Sequence, residues 1–192
     1  MNMNAPHAVG VPDGFYRVPT NSCVSMAATR ERIRRHVHEA PGVHFNRLGR
    51  ELDLATGQVQ YHLRRLTRDG TVVAEPVGGR THYFPPGYDA WERRLIAYLR
   101  RETPRAILMR LHANGPTRPV DLATELDLAR STVAYHVSNL ADAGVLERSI
   151  DEPMRVSLAD PTRTADLLDA VSPSLPDRVV DRFVRTVDRL LE

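Results

Sequence analysis

The chain of 192 residues and 21.6 kDa has room for one medium domain or two small ones. With 42% hydrophobic and 26% charged residues it has the composition of an ordinary folded protein, and no window approaches the roughly 18 apolar residues of a membrane span. The single cysteine, Cys23, excludes an intramolecular disulfide and argues against a cysteine-based zinc site, and residues 1–20 lack the basic start and apolar run of a secretory signal, so a cytoplasmic location is expected.

In chain order, residues 1–22 show little periodicity and read as a flexible or surface-draped segment. The spacing of Ile33 and Val37 predicts a helix over 29–40, ended by Pro41-Gly42. A short helix follows, with Leu48 and Leu52 on one face, then a tight turn at Leu54-Ala55-Thr56. Val59, Leu63 and Leu66, at i, i+4, i+7, predict a longer helix over 56–69, closed by Gly70. Residues 71–74 and 80–84 flank Gly78-Gly79 and read as a hairpin.

Pro85-Pro86-Gly87 reads as a linker, and Asp89 as the cap of a connector helix over 90–101 with Trp91, Leu95 and Leu99 on one stripe. A second set of elements then repeats the first. Thr103-Pro104 starts a helix carrying Ile107, Leu108 and Leu111, and Gly115-Pro116 breaks it. Leu122 and Leu126 mark a short helix, and Val133, Val137 and Leu140 a longer one ending at Gly144. Residues 145–148 and 154–158 flank Asp151-Glu152-Pro153 as a second hairpin. Ser174-Leu175-Pro176 opens a last helix with Val180, Phe183, Val184, Val187, Leu190 and Leu191 on one face. That face is expected to pair with the same helix of another subunit or, as the alternative, to pack on the chain's own second domain.

The repeat is explicit in the residues. A shift of 74 positions aligns 51–70 with 125–144 without a gap, and ten of twenty positions are identical. Two copies are too few for a solenoid, so two similar domains are expected. The organisation is an N-terminal segment (1–22), a first domain (23–86), a connector (87–103), a second domain (104–160) and C-terminal helices (161–192).

This order, with Leu-x-Leu before the turn and Val-x-x-x-[Leu/Val]-x-x-Leu-x-x-x-Gly after it, resembles the winged helix-turn-helix regulators. ArsR- and MarR-like repressors, and tandem winged-helix regulators of archaea, are the most similar. The most specific stretch is Pro41-Gly-Val-His-Phe-Asn-Arg-Leu with Gly57-Gln-Val-Gln-Tyr-His-Leu-Arg-Arg-Leu, and the resemblance covers 28–86 and 104–160. It implies a mainly α fold with small β-hairpin wings, two such domains in tandem, and C-terminal helices. It further implies a homodimeric transcriptional regulator that reads double-stranded DNA in the major groove and is not an enzyme. Association with the nucleoid follows.

Carried over residue by residue, the resemblance implies DNA contact by Thr56, Gln58, Gln60, Tyr61, Arg64, Arg65 and Arg68 on the first long helix. Gly79, Arg80 and His82 would be the wing contact. In the second copy the matching positions are Arg130, Ser131, Thr132, Tyr135, Ser138 and Asn139. Two departures from the pattern stand out. The position that usually supplies a Ser or Thr cap is Ala55 in one copy and Ala129 in the other, and the second wing tip carries Asp151 and Glu152. All 26 basic residues are arginine, and they are uneven: 15 against 10 acids over 1–103, 11 against 14 over 104–192. The first domain is therefore expected to carry more of the contact.

Tyr-His recurs at 61–62 and 135–136, and His62 and His136 are read as packing residues. The eight histidines show no i, i+4 pairing, so no metal site is expected. The chain has no Gly-rich phosphate loop and no nucleophile in a recognisable setting, so neither catalysis nor a cofactor is expected. Two rival readings are a protein-interaction module of transcription or chromosome-organising machinery, favoured by the acidic second half, and a sensor with a ligand pocket between the domains. The sequence names no small-molecule effector.

Overall fold

The computed structural model describes residues 21–150 and 153–171. The expected pairing face from Val180 to Leu191 and the acidic wing tip at Asp151 and Glu152 lie outside the described residues.

The first copy begins with α1 (Asn21–Glu39) and continues through β1 (Val43–His44), α2 (Phe45–Leu52), α3 (Thr56–Arg68), β2 (Val73–Val77) and β3 (Arg80–Phe84). Ile33 and Val37 of α1, Leu48 of α2 and the Val59–Leu63–Leu66 stripe of α3 converge on one core with Val43 and Val72. Residues 45–52 and 56–68 are thus two helices joined by a three-residue turn. Asp53 in that turn adopts the left-handed conformation (φ 50°), and Asp127 does the same in the second copy (φ 50°). Aspartate tolerates this backbone better than a bulky or β-branched residue would.

The wing is a hairpin whose Val77 and Arg80 pair directly across Gly78-Gly79. Both glycines have positive φ (55° and 77°), the combination that a two-residue turn matched to strand twist requires. β1 adds a third strand, giving the order β1-β3-β2. Only a Pro-Gly break is legible there in the sequence. Gly42 makes the close approach possible: at φ 78°, a Cβ on it would stand 2.8 Å from Ile96 Cγ2 and 3.2 Å from the Phe84 ring.

The second copy comprises α5 (Glu102–Asn114), α6 (Pro119–Glu125), α7 (Arg130–Asp142), β4 (Leu146–Arg148) and β5 (Val156–Leu158), with α8 (Pro161–Val171) after it. A single antiparallel bridge, Thr117 to Val156, takes the place of β1. The expected cap of α5 is Thr103, but the helix already begins at Glu102, with Arg101 at the cap position and no capping side chain.

Between the copies runs α4 (Ala90–Leu99), whose start is fixed by a reciprocal cap. Asp89 accepts from the Glu92 amide (2.9 Å) and Glu92 from the Asp89 amide (2.8 Å). The expected single stripe understates its burial: Leu95, Ile96, Ala97, Tyr98 and Leu99 are all buried in succession. α4 is therefore a core element of the molecule. Its apolar residues join Val77 and Phe84 of the first wing to Ile107, Leu108, Val133, Val137 and Leu140 of the second copy in one continuous cluster, closed by Leu167, Leu168 and Val171 of α8. Burial on this scale holds the two copies together. Among the described residues no helix is long and apolar enough to cross a membrane.

Candidate nucleic-acid interface

α3 presents two faces. Val59, His62, Leu63 and Leu66 are buried, while Thr56, Gln58, Gln60, Tyr61, Arg64, Arg65 and Arg68 are all exposed. Its first residue lacks a side-chain cap because Ala55 has no oxygen to offer. Gln58 supplies one arm of the missing box: its side-chain oxygen accepts from the Ala55 amide at 3.3 Å. Gln58 thus serves the helix end as well as the surface.

Arg65 and Arg68 stand 3.9 Å from Asp69 carboxylate oxygens, too far for a strong pair, and Arg68 keeps 70% of its side chain exposed. No ion-pair partner of Arg64 occurs among the described residues. These guanidiniums are available to an anionic surface.

Beside α3 lies a cleft of about 1140 Å³ floored by α2 and α3 and walled by the wing. Arg64 and Arg68 of α3, Arg50 of α2 and Arg80 of the wing all line it, with Gln60 and Thr67 between them. Sequence reasoning gives no contact role to α2 or to Thr81 of the wing, so it misses Asn46, Arg50 and Thr81 on this cleft. A signal exists in the exposed Asn46 and Arg50 of the short helix, but sequence spacing alone does not say that they face the wing.

His44 sits at the same cleft as the cap of α2, its Nδ1 accepting from the Asn46 amide at 3.2 Å. That bond requires an unprotonated Nδ1. Burial, then repulsion from Arg80, Arg50 and Arg47, lowers the His44 pKa and keeps it in that form.

His82, expected as a wing contact, is corrected by the structure. It is 1% exposed, and its Nδ1 lies 2.7 Å from the Gly42 carbonyl. His82 shares its face of β3 with Phe84 and Arg80, and that face is covered at His82 and Phe84 but open at Arg80, next to the wing turn. Burial, only partly opposed by the Gly42 hydrogen bond, lowers its pKa. Gly79 and Arg80 remain exposed at the wing tip.

The second copy repeats the geometry with different chemistry. Tyr61–His62 and Tyr135–His136 make the same edge-to-face contact, with ring centroids 5.1 Å apart in both. His62 is 3% exposed and His136 half-buried, each with its pKa lowered first by burial. On α7, Arg130, Ser131 and Tyr135 are exposed, Tyr135 at 60%, whereas Thr132, Ser138 and Asn139 are only partly so. The C-terminal half of α7 leans on α4, where the Tyr98 hydroxyl donates to the Asn139 carbonyl at 3.1 Å. Among the described residues, no group of three or more His, Cys, Asp or Glu comes together in a way that could hold a metal.

Residues 27–96 match a family model of an N-terminal HTH domain, and residues 99–149 match a model of a helix-turn-helix domain. An uncharacterized HTH-type transcriptional regulator of Methanocaldococcus jannaschii is 28% identical over 128 residues, which cover 67% of this chain and 32% of the relative. The chain spans about a third of that relative's length. Among solved structures, overoxidized AbfR bound to DNA is 15% identical over 75% of this chain and 99% of that one, with a TM-score of 0.38. The mRNA-binding domain of elongation factor SelB from E. coli, in complex with SECIS RNA, is 15% identical over 70% and 97%, with a TM-score of 0.32. Likenesses this distant assign nothing to this chain. Two helix-turn-helix domains in tandem are what the matched models and the folded elements share.

Proposed function

We propose that this tandem helix-turn-helix chain is a DNA-binding transcriptional regulator that lays α3 in the major groove and sets Arg80 of the wing against the backbone. The observation that carries this reading is the convergence of Arg50, Arg64, Arg68 and Arg80 on one cleft beside an exposed, Arg-rich helix. Phosphates sit well against such guanidiniums, and Gln60 and Arg64 are long enough to reach base edges. The regulatory designation of the M. jannaschii relative points the same way.

The test is a gel-shift screen over genomic fragments. A preferred site that survives competitor DNA supports the reading; binding without preference, or none, sinks it. Homodimerisation through Val180, Phe183, Val184, Val187, Leu190 and Leu191 belongs to the same proposal, since two-fold symmetry would present two half-sites. Light scattering checks it: the wild type should be a dimer, and Phe183→Asp with Val187→Asp a folded monomer.

A further inference from the structure

Between the two copies lies a second groove, of about 700 Å³. Six guanidiniums line it: Arg47 and Arg50 of α2, Arg80 of the wing, Arg100 and Arg101 at the end of α4, and Arg105 of α5. Only Glu51 and Glu102 oppose them, and Glu51 is already held by Arg47 (2.5 Å) and His36 (2.9 Å). This much like charge in a recess is unfavourable without a counter-ion. Burial, and then repulsion from Arg47, pulls Arg100 down to about 10, and burial lowers Arg105 as well.

One buried donor on the groove lacks a partner. Arg105 is 3% exposed and its Nη1 donates to the Leu99 carbonyl, yet its Nε bonds to nothing. The neutral His82 ring donates from Nδ1 to the Gly42 carbonyl, so its Nε2 is an acceptor and adds nothing for an anion. A buried donor such as Arg105 Nε costs free energy unless something meets it. The start of α5, without a capping side chain, opens on the same groove and adds the positive end of a helix. Gly78 completes the arrangement: a Cβ there would collide with the Arg101 guanidinium, which rests against the bare backbone of the wing turn.

The geometry points to a small-anion site between the two copies, taking a di- or polyphosphate group, free or carried on a small molecule. Guanidinium forks bind such groups bidentately, and the ligand's several oxygens match the number of donors. A duplex is the poorer fit, because Arg105 is recessed while Arg64 and Arg68 stand out from the surface. His44, Arg50 and Arg80 line both this groove and the cleft beside α3, so an occupant would draw Arg50 and Arg80 away from DNA. That coupling rests on the DNA-binding reading; the anion site does not.

Calorimetric titration of the full chain with inorganic pyrophosphate, at low salt and without DNA, tests the site. The expected result is saturable one-to-one binding, with a melting temperature that rises with pyrophosphate concentration. Arg101→Gln and Arg105→Gln should each weaken binding tenfold or more, and Glu102→Gln should tighten it. Arg148→Ala, on β4 outside the groove, should leave it unchanged. If Arg105→Gln fails to fold by circular dichroism, Arg101→Gln carries the comparison. Absence of saturable binding overturns the site, as does an equal loss in Arg148→Ala. So does a protein blind to pyrophosphate whose Arg101→Gln variant loses DNA affinity, which would assign the groove to the duplex. A chain that binds pyrophosphate and no DNA keeps the site and sinks the regulator.

Discussion

Trp91 Nε1 donates a 2.8 Å hydrogen bond to the carbonyl of Gly144, fastening the connector helix to the residue that ends the second copy's long helix. The Arg163 guanidinium stacks 4.6 Å above the same indole and pairs with Asp89 (2.5 Å) and Glu92 (3.2 Å), so α8 is drawn into the joint. On the other side, Arg100 Nε donates to the Pro41 carbonyl at 2.8 Å and Arg93 pairs with Glu75 at 2.9 Å. Together these contacts tie α4 to both copies. Replacing Trp91 by Phe removes one hydrogen bond and weakens the stacked cation, a loss of about 1–2 kcal/mol. In urea the midpoint should fall with an unchanged slope, and the whole chain should unfold in one transition. Two separate transitions, with only one displaced, would show that the copies fold independently.

Arg64→Ala with Arg65→Ala should weaken DNA binding at fixed salt by at least tenfold while leaving helix content and melting temperature nearly unchanged. Both residues are exposed and lie opposite the buried Val59–Leu63–Leu66 stripe. Fluorescence anisotropy with a bound fragment measures the change, and unaltered affinity would remove α3 from the reading role.

The two copies should differ in salt dependence. The logarithm of affinity falls with the logarithm of salt by about 0.9 per phosphate neutralised. Alanine at Arg64 and Arg80 should flatten that slope by up to about one unit for each phosphate no longer neutralised, and alanine at Arg130 by about one at most. Equal flattening at both sites would mean that α3 and α7 grip DNA alike.

Stability should decline on mild acidification. Burial lowers the pKa values of His44, His62, His82 and His136 below 6.5 in the folded chain. As pH falls through about 6.5 the unfolded chain takes up protons first, so stability present above that value is lost progressively until the folded histidines themselves titrate. The melting temperature should therefore drop between about pH 7.5 and 5.5, before the carboxylates respond. A flat or rising profile over that window would contradict the neutral, buried assignment.

Much of this architecture is written locally. The i, i+4, i+7 stripes of α3 and α7, the glycines after them and the Gly78-Gly79 turn are short-range signals, and each falls where the sequence places it. What escapes a sequence reading depends on distant partners. β1 is two residues long and is defined only by pairing with Tyr83 and His82, some 40 positions away. His82 shares a strand face with the exposed Arg80, and how far along β3 that face is covered is decided by Gly42 and by the helices packed on the strand. Nothing nearby in sequence announces that two domains close over Arg100 and Arg105. Sequence spacing also leaves open whether Arg50 and Arg80 meet across a cleft; the third strand and the α2–α3 turn decide it.

Val77 and Phe84, wing residues of the first copy, are buried in the same cluster as Leu140 of the second copy's long helix. The separation and rotation between α3 and α7 are consequently built into the protein as a ruler with fixed phase. B-DNA turns once in about 10–10.5 base pairs. If both helices touch one duplex, moving the second contact by half a turn, about five base pairs, carries it to the opposite face, where the protein cannot follow. Returning it by a full turn restores the face but not the distance. Tolerance to spacer length would therefore be narrow for this chain, whereas two domains on a loose tether would accept many spacings.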